Sequence, residues 1–133
     1  MKKIITSGKR KTAVARAEIK TGSGKITLNK KNYKHLHKFD VLRIKELLMI
    51  VENVLGKVNF DVIISVRGGG EKGQIEAARL ALARAVVKFS ESSELESKFL
   101  EYDRNLLVAD VRRKETYKPG DSKARSKRQS SKR

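Results

Sequence analysis

The sequence predicts an α/β domain in which a sheet is covered by amphipathic helices and from which a long basic tail departs. Three observations carry that prediction. Apolar and polar residues alternate over 13–20 and again over 25–29, the period of a half-buried strand. Over 41–55 and 74–89 apolar residues return at helical spacing, and the second stretch is apolar over a side broad enough to pack on a sheet. The charge is also partitioned: residues 1–39 hold twelve Lys or Arg and one acid, 40–111 hold ten and twelve, and 112–133 hold ten and two. A charge-balanced core therefore lies between two cationic ends, within a length of 133 residues that suits one domain.

Taken in order, Ala13, Ala15, Ala17 and Ile19 alternate with Val14, Arg16, Glu18 and Lys20, and Ile26 and Leu28 repeat the pattern. The "TGSG" between them predicts a β-hairpin with one apolar and one largely cationic face. From Val41 to Leu55 the apolar positions 41, 44, 48, 51 and 55 predict a helix, with Asp40 as N-cap and Gly56 at its end. "FDVIISV" is almost continuously apolar and reads as a central strand buried on both faces. After "GGGEKG" a helix is predicted from Gln74 to Phe89, with Ile75, Ala78, Leu82, Ala85, Val86 and Phe89 as its apolar stripe and Glu76, Arg84 and Lys88 opposite. "SELESKFLEYD" suggests a short further helix, and "LLVADVRRKETY" a last, exposed strand. The globular part is thus 1–117, and 118–133 forms an extended tail too poor in apolar residues to offset its ordering entropy.

The formal net charge of +17 selects a polyanionic partner, nucleic acid first and an anionic membrane second. No apolar run approaches the roughly 20 residues that span a bilayer, and Met1–Gly8 is too short and polar for a secretory signal, so a soluble, cytoplasmic protein is expected. The absence of cysteine excludes a disulfide framework, a thiolate zinc site and a cysteine nucleophile. His35 and His37 read as a surface or RNA-facing pair rather than as metal ligands. No Ser, His and acid set stands at a recognisable spacing, so no catalytic residue, metal, cofactor or small-molecule substrate is expected, and the chain reads as a non-enzyme.

The glycine run has the form Gly-x-Gly-x-x-Gly of a dinucleotide-binding loop. Such a site needs the following helix to lead into a parallel strand carrying an acid, but here the helix runs into "SESSELESKFLEYD". A phosphate-binding loop of nucleotide hydrolases needs Gly-Lys-Ser/Thr, where this chain has "EKGQ". What remains is the physics of the motif: glycines permit close backbone approach, and a helix N-terminus offers amide donors to phosphate. A strand-to-helix turn at positive φ accounts for one glycine of the four. Arg67 and Lys72, on either side, favour RNA. Lys9, Arg10, Lys11, Arg16, Arg67 and Lys72 are the expected phosphate partners, with Gly68, Gly69 and Gly70 allowing close approach. Aromatics are few and unclustered, so phosphate contact with structured RNA outranks base stacking. The alternative is a nucleoid-type DNA-binding protein, although the 74–89 helix is too apolar on its broad face to lie in a groove.

"SGKRKTAVARA", "RGGGEKGQIEAARLALARAVV", "YDRNLLVADVRRKE" and the closing "KARSKRQSSKR" together resemble the universal small-subunit ribosomal protein nine family in its archaeal and eukaryotic style, over almost the whole chain. The resemblance implies a compact two-layer domain with a mixed four-stranded sheet, a left-handed βαβ crossover and a long basic C-terminal tail. It further implies a place in the head of the small ribosomal subunit, on the major 3′ domain of 16S-type rRNA and among other head proteins. Arg112, Arg113, Lys123 and Arg125 would join the rRNA contacts, and the tail would reach the peptidyl-site tRNA with Arg128, Lys132 and Arg133. Two positions depart from the pattern: Val111 stands where proline is common, and Ser130 and Ser131 stand where an aromatic often lies near the end.

Overall fold

The computed structural model describes residues 3–112. Five strands, β1 (Lys3–Arg10), β2 (Ala13–Thr21), β3 (Ile26–Leu28), β4 (Lys31–Asn32) and β5 (Phe60–Arg67), form one sheet in the order β1-β2-β5-β3-β4. Three helices, α1 (Lys38–Leu55), α2 (Glu71–Ser90) and α3 (Ser93–Tyr102), complete the fold with short 3₁₀ turns at Tyr33–His35 and Arg104–Leu106. The architecture is the expected mixed α/β one, with five strands instead of four. β3 and β5 run parallel, joined by a crossover through α1, while the other neighbours are antiparallel.

Period-two patterning explains the sheet. Ala13, Ala15, Ala17 and Ile19 of β2 and Phe60, Val62, Ile64 and Val66 of β5 are all buried, and with Ile44, Leu47 and Val51 of α1 and the alanine-rich side of α2 they make one core. β5 is central, as expected, but it is buried on one face only: Ile63 is 46% exposed, and Ser65 and Arg67 share its face. A continuous apolar run suggested cover on both sides, yet among the described residues no helix covers that second face.

The expected hairpin between β2 and β3 does not form. β5 lies between them, and the Thr21–Lys25 loop instead wraps the carboxylate of Asp61, which accepts backbone N–H bonds from Ser23 (3.0 Å), Gly24 (3.2 Å) and Lys25 (3.0 Å). Those bonds, that of Lys25 first, hold the Asp61 pKa below its ordinary value. The actual hairpin joins β1 to β2, with Lys11 at φ 55° in its turn. β1 escapes the alternation test because its inward residues include Thr6, Gly8 and Arg10. Gly8 is needed there because a Cβ would sit 2.5 Å from the Ala77 carbonyl oxygen, so α2 packs directly on the strand. Thr6 Oγ1 donates to the Ala81 carbonyl at 2.8 Å.

Both long helices start three residues before their predicted first residues. α1 is capped by His37, whose Nδ1 accepts from the Phe39 N–H at 3.4 Å; Asp40 is a buried residue of the first turn and not the N-cap. Gly56 ends α1 at φ 84°, as the sequence indicates. α2 starts inside the glycine run, with Gly70 as N-cap and Gly73 in the first turn. Finally, 107–112 form no strand: Arg84 holds this segment by donating from Nε to the Leu107 carbonyl while its Nη1 donates to Ser7, both at 2.9 Å. The remainder of the expected strand, and the proposed boundary at 117/118, lie outside the described residues.

Candidate nucleic-acid interface

One end of the sheet gathers four pieces: the β1–β2 turn, the end of β5, the glycine loop and the first turn of α2. Register places Lys9 opposite Val14 and Val14 opposite Arg67, so Lys9 and Arg67 share the open face of the sheet. Arg16 lies on that face one pleat along, between Ser7 and Ser65. Lys20 falls on the same face by the same alternation, two further positions on from Glu18. Lys9, Lys11, Arg16, Arg67 and Lys72 are all exposed.

A cleft of about 530 Å³ opens between the turn and the loop, lined by Arg10, Lys11, Thr12, Gly69, Gly70, Glu71, Lys72, Gly73 and Glu76. The glycines divide by role. Gly68 (φ 75°) and Gly69 (φ 69°) adopt the left-handed backbone, and a Cβ on them would meet the Thr12 carbonyl oxygen at 2.7 Å and the Ala13 Cβ at 2.9 Å. These two dock the loop onto the β1–β2 turn, so the conformational demand covers two glycines where the sequence suggested one. Gly70 is different. Its φ of −88° and ψ of 170° suit any residue, and a Cβ there would meet nothing within 4 Å. As N-cap it offers no side-chain hydrogen bond, so no cap competes with a ligand for the first amides of α2.

Arg10 sits apart from the other predicted phosphate partners. Its strand position turns it inward, its side chain is 16% exposed, and it is held by Glu76 (Nε to Oε2, 2.6 Å) and Asp110 (Nη1 to Oδ2, 2.5 Å). It clamps α2 and the 107–112 segment to the hairpin. Arg112, 77% exposed, donates from Nη2 to Asp110 at 2.6 Å. The hydrogen bonds of Arg112, with the charge of Arg10, hold the Asp110 carboxyl well below the usual carboxylate range. Arg43 of α1 reaches the same group by donating to Glu76 at 3.3 Å. No pattern in the sequence marks Arg43, because only the packing of α1 beside α2 brings it there. Arg113, Lys123, Arg125, Arg128, Lys132 and Arg133, and the Ser130 and Ser131 departures, lie outside the described residues. Val111 is 84% exposed in the irregular segment.

The structure also tests the glycine motif's other meaning. Among the described residues α2 leads into α3 and a 3₁₀ turn, and no strand follows it to complete a dinucleotide-binding unit. No helix of the described residues is long and apolar enough to cross a membrane.

Residues 8–133 match the family model described as ribosomal protein S9/S16. Among curated proteins the chain is 46% identical to the small ribosomal subunit protein uS9 of Methanococcus maripaludis, covering 98% of each chain. It is 48% identical to the protein of that name from Thermoplasma volcanium, covering 96% of each.

Proposed function

The chain belongs to the ribosomal protein S9/S16 family, and on that premise we propose that it is a structural, non-catalytic constituent of the small ribosomal subunit in the cytoplasm. Its rRNA surface is the cationic end of the sheet, with Lys9, Lys11, Arg16, Arg67 and Lys72 as phosphate partners. The observation that carries this reading is the cleft in which Lys11 and Lys72, with Glu71 and Glu76, surround the backbone of Gly70, whose φ and ψ and free space leave the N-terminus of α2 without a side-chain cap. Arg10 positions the turn rather than touching RNA, and Arg112 extends the surface from the Asp110 pair. The RNA is the 16S-type major 3′ domain in the subunit head, and the tail residues Arg128, Lys132 and Arg133 extend the same phosphate chemistry to the peptidyl-site tRNA.

The test is equilibrium binding of that rRNA domain, against duplex DNA as competitor, across a salt series. The Lys11→Ala/Lys72→Ala double variant is expected to lower the slope of log K against log salt by about 1.5, the loss of two phosphate contacts, with thermal stability unchanged. An unchanged slope would remove the turn from the interface, and preference for duplex DNA would overturn the ribosomal reading.

A further inference from the structure

The open face of the sheet carries one row of side chains that phosphate binding explains only in part. Register sets Ser7 of β1 opposite Arg16 of β2, and Arg16 opposite Ser65 of β5; all three are exposed. Among the described residues none of the three side chains has a hydrogen-bond or ion-pair partner. Neighbouring strands lie about 4.8 Å apart, so the two hydroxyls stand roughly 10 Å apart with a guanidinium between them. The row is also firmly held. Ser65 belongs to the central strand, and the backbone carbonyl of Ser7 accepts from Arg84 Nη1 at 2.9 Å. On either side of the row the exposed apolar residues are aliphatic, Ile5 and Ile63 toward one end of the sheet and Val14 toward the other. Both acids of this face are already engaged, Glu18 by Lys3 Nζ at 3.1 Å and Asp61 by the amides of the Thr21–Lys25 loop.

We propose that this face docks on the minor groove of an A-form RNA helix and that Ser7 and Ser65 are its sugar readers, exchanging hydrogen bonds with ribose 2′-hydroxyls while Arg16 contacts a phosphate between them. Three arguments select this occupant. The outward residues of β1, β2 and β5 include no aromatic ring on which an unpaired base could stack, so helical RNA fits better than a single strand. The major groove of A-form RNA is deep and narrow, whereas its minor groove is wide and shallow and displays the 2′-hydroxyls, which is the side a sheet face can reach. A serine hydroxyl is donor and acceptor at once, as the 2′-hydroxyl is, so the pair can bond in either direction. Phosphate contacts alone position a protein without reading what they hold. The serine row is therefore the feature that distinguishes RNA from DNA, with the aliphatic residues beside it packing on ribose carbon. The inference rests on RNA being the partner, and not on the Gly70 end of the surface.

The experiment measures equilibrium binding of the full chain to two duplexes of one sequence, an RNA duplex and its 2′-fluoro counterpart, which keeps the A-form but has no hydroxyl to donate. The wild type should bind the RNA duplex about tenfold more tightly, the effect of two hydroxyl contacts. Ser7→Ala/Ser65→Ala should reduce that ratio to about twofold or less, and Ser7→Thr/Ser65→Thr, which keeps both hydroxyls, should retain it. The alanine variant loses no phosphate partner, so its salt slope should match that of the wild type, and because both serines are exposed its unfolding midpoint should not move. Equal binding of the two duplexes by the wild type would overturn the proposal, as would a ratio that survives in the alanine variant. Lys11→Ala/Lys72→Ala reports the glycine end separately: it should lower the salt slope and leave the ratio alone. A lowered slope with no ratio to begin with overturns the serine row and spares the glycine end, whereas a ratio lost with the serines and a slope indifferent to the lysines does the reverse.

Discussion

The inner and outer sides of the β1–β2 turn differ in what the same residue types do. Arg10 and Lys11 are neighbours, and Gly69 and Gly70 are neighbours, yet in each pair one residue faces the protein and the other faces outward. On the inner side Arg10 is gripped by Glu76 and Asp110, and Gly68 and Gly69 let the loop close on Thr12 and Ala13. On the outer side Lys11 and Lys72 stand exposed beside Gly70, which has room for a Cβ. A cation or a glycine in a basic motif is thus not evidence of nucleic-acid contact until its side is known. Strand parity and φ decide the side.

Substitution should separate the two sides by their effects on folding. The largest effect is expected from Gly69→Val. It puts a β-branched residue at φ 69° and a Cβ 2.9 Å from that of Ala13, so strain and collision add. A loss of about 3 to 5 kcal/mol in denaturant unfolding is expected. A loss under about 1 kcal/mol would mean that the loop relaxes freely and that its inner glycines are not structural.

Arg10→Met should come next. It keeps the volume of the side chain while removing the partner of two carboxylates, one of which, Asp110, is only 14% exposed. Because Arg43 still serves Glu76, the cost should be about 1 to 3 kcal/mol, below that of a fully buried pair. The salt slope of rRNA binding by the folded protein should not change. A lowered slope would move Arg10 to the outer side and erase the contrast.

A pH series resolves a smaller contribution. The Asp110 pKa is depressed in the fold, so its stabilisation is present above the unfolded value of about 3.9 and is lost as the pH falls below it. Arg112 is only two residues away and can pair with Asp110 in the unfolded chain too, so folding adds chiefly the contact with Arg10. The stability difference between wild type and Asp110→Asn should therefore be small, favour the wild type at neutral pH, and shrink as the pH drops through about 4. A pH-independent difference would show that the carboxylate's charge has no part in the clamp.

These contrasts also mark what the sequence made legible. The period of two in 13–20 identified β2 and its open cationic face, and the stripe of α2 announced a helix that covers a sheet. β1 was hidden because close packing with α2 selected Gly8, and hydrogen bonding selected Thr6, where alternation looks for aliphatics. The position of β3 was hidden because "TGSG" supports a turn without saying which strands it joins. The loop's real partner is Asp61, distant in sequence. The α1 cap was missed because His37 accepts through Nδ1, a role more often filled by a residue such as Asp40. At the candidate site the outer residues were recoverable from charge and motif. The inward placement of Arg10 depended on β1, so the strand that alternation did not announce also hid the side on which Arg10 lies.

The smallest expected effect on stability is also the sharpest test, because it has opposite signs in the two readouts. Gly70 is the N-cap of α2, lacks a capping side chain, and has φ −88° with room for a Cβ. Aspartate there can accept from the first-turn amides and complements the positive end of the helix, which should raise stability by about 0.5 to 1 kcal/mol. The same carboxylate occupies the amides assigned to phosphate and adds negative charge between Lys11 and Lys72. Gly70→Asp should therefore be more stable than the wild type and bind the rRNA domain at least about tenfold more weakly, while Gly70→Ala, which adds neither charge nor cap acceptor, should change binding far less. A destabilising mutation could weaken binding merely by unfolding the protein, and that explanation is closed when stability rises. If Gly70→Asp is stabilised and binds RNA as the wild type does, the open backbone at the head of α2 is not where the phosphate sits, and the outer side of the turn reduces to its lysines.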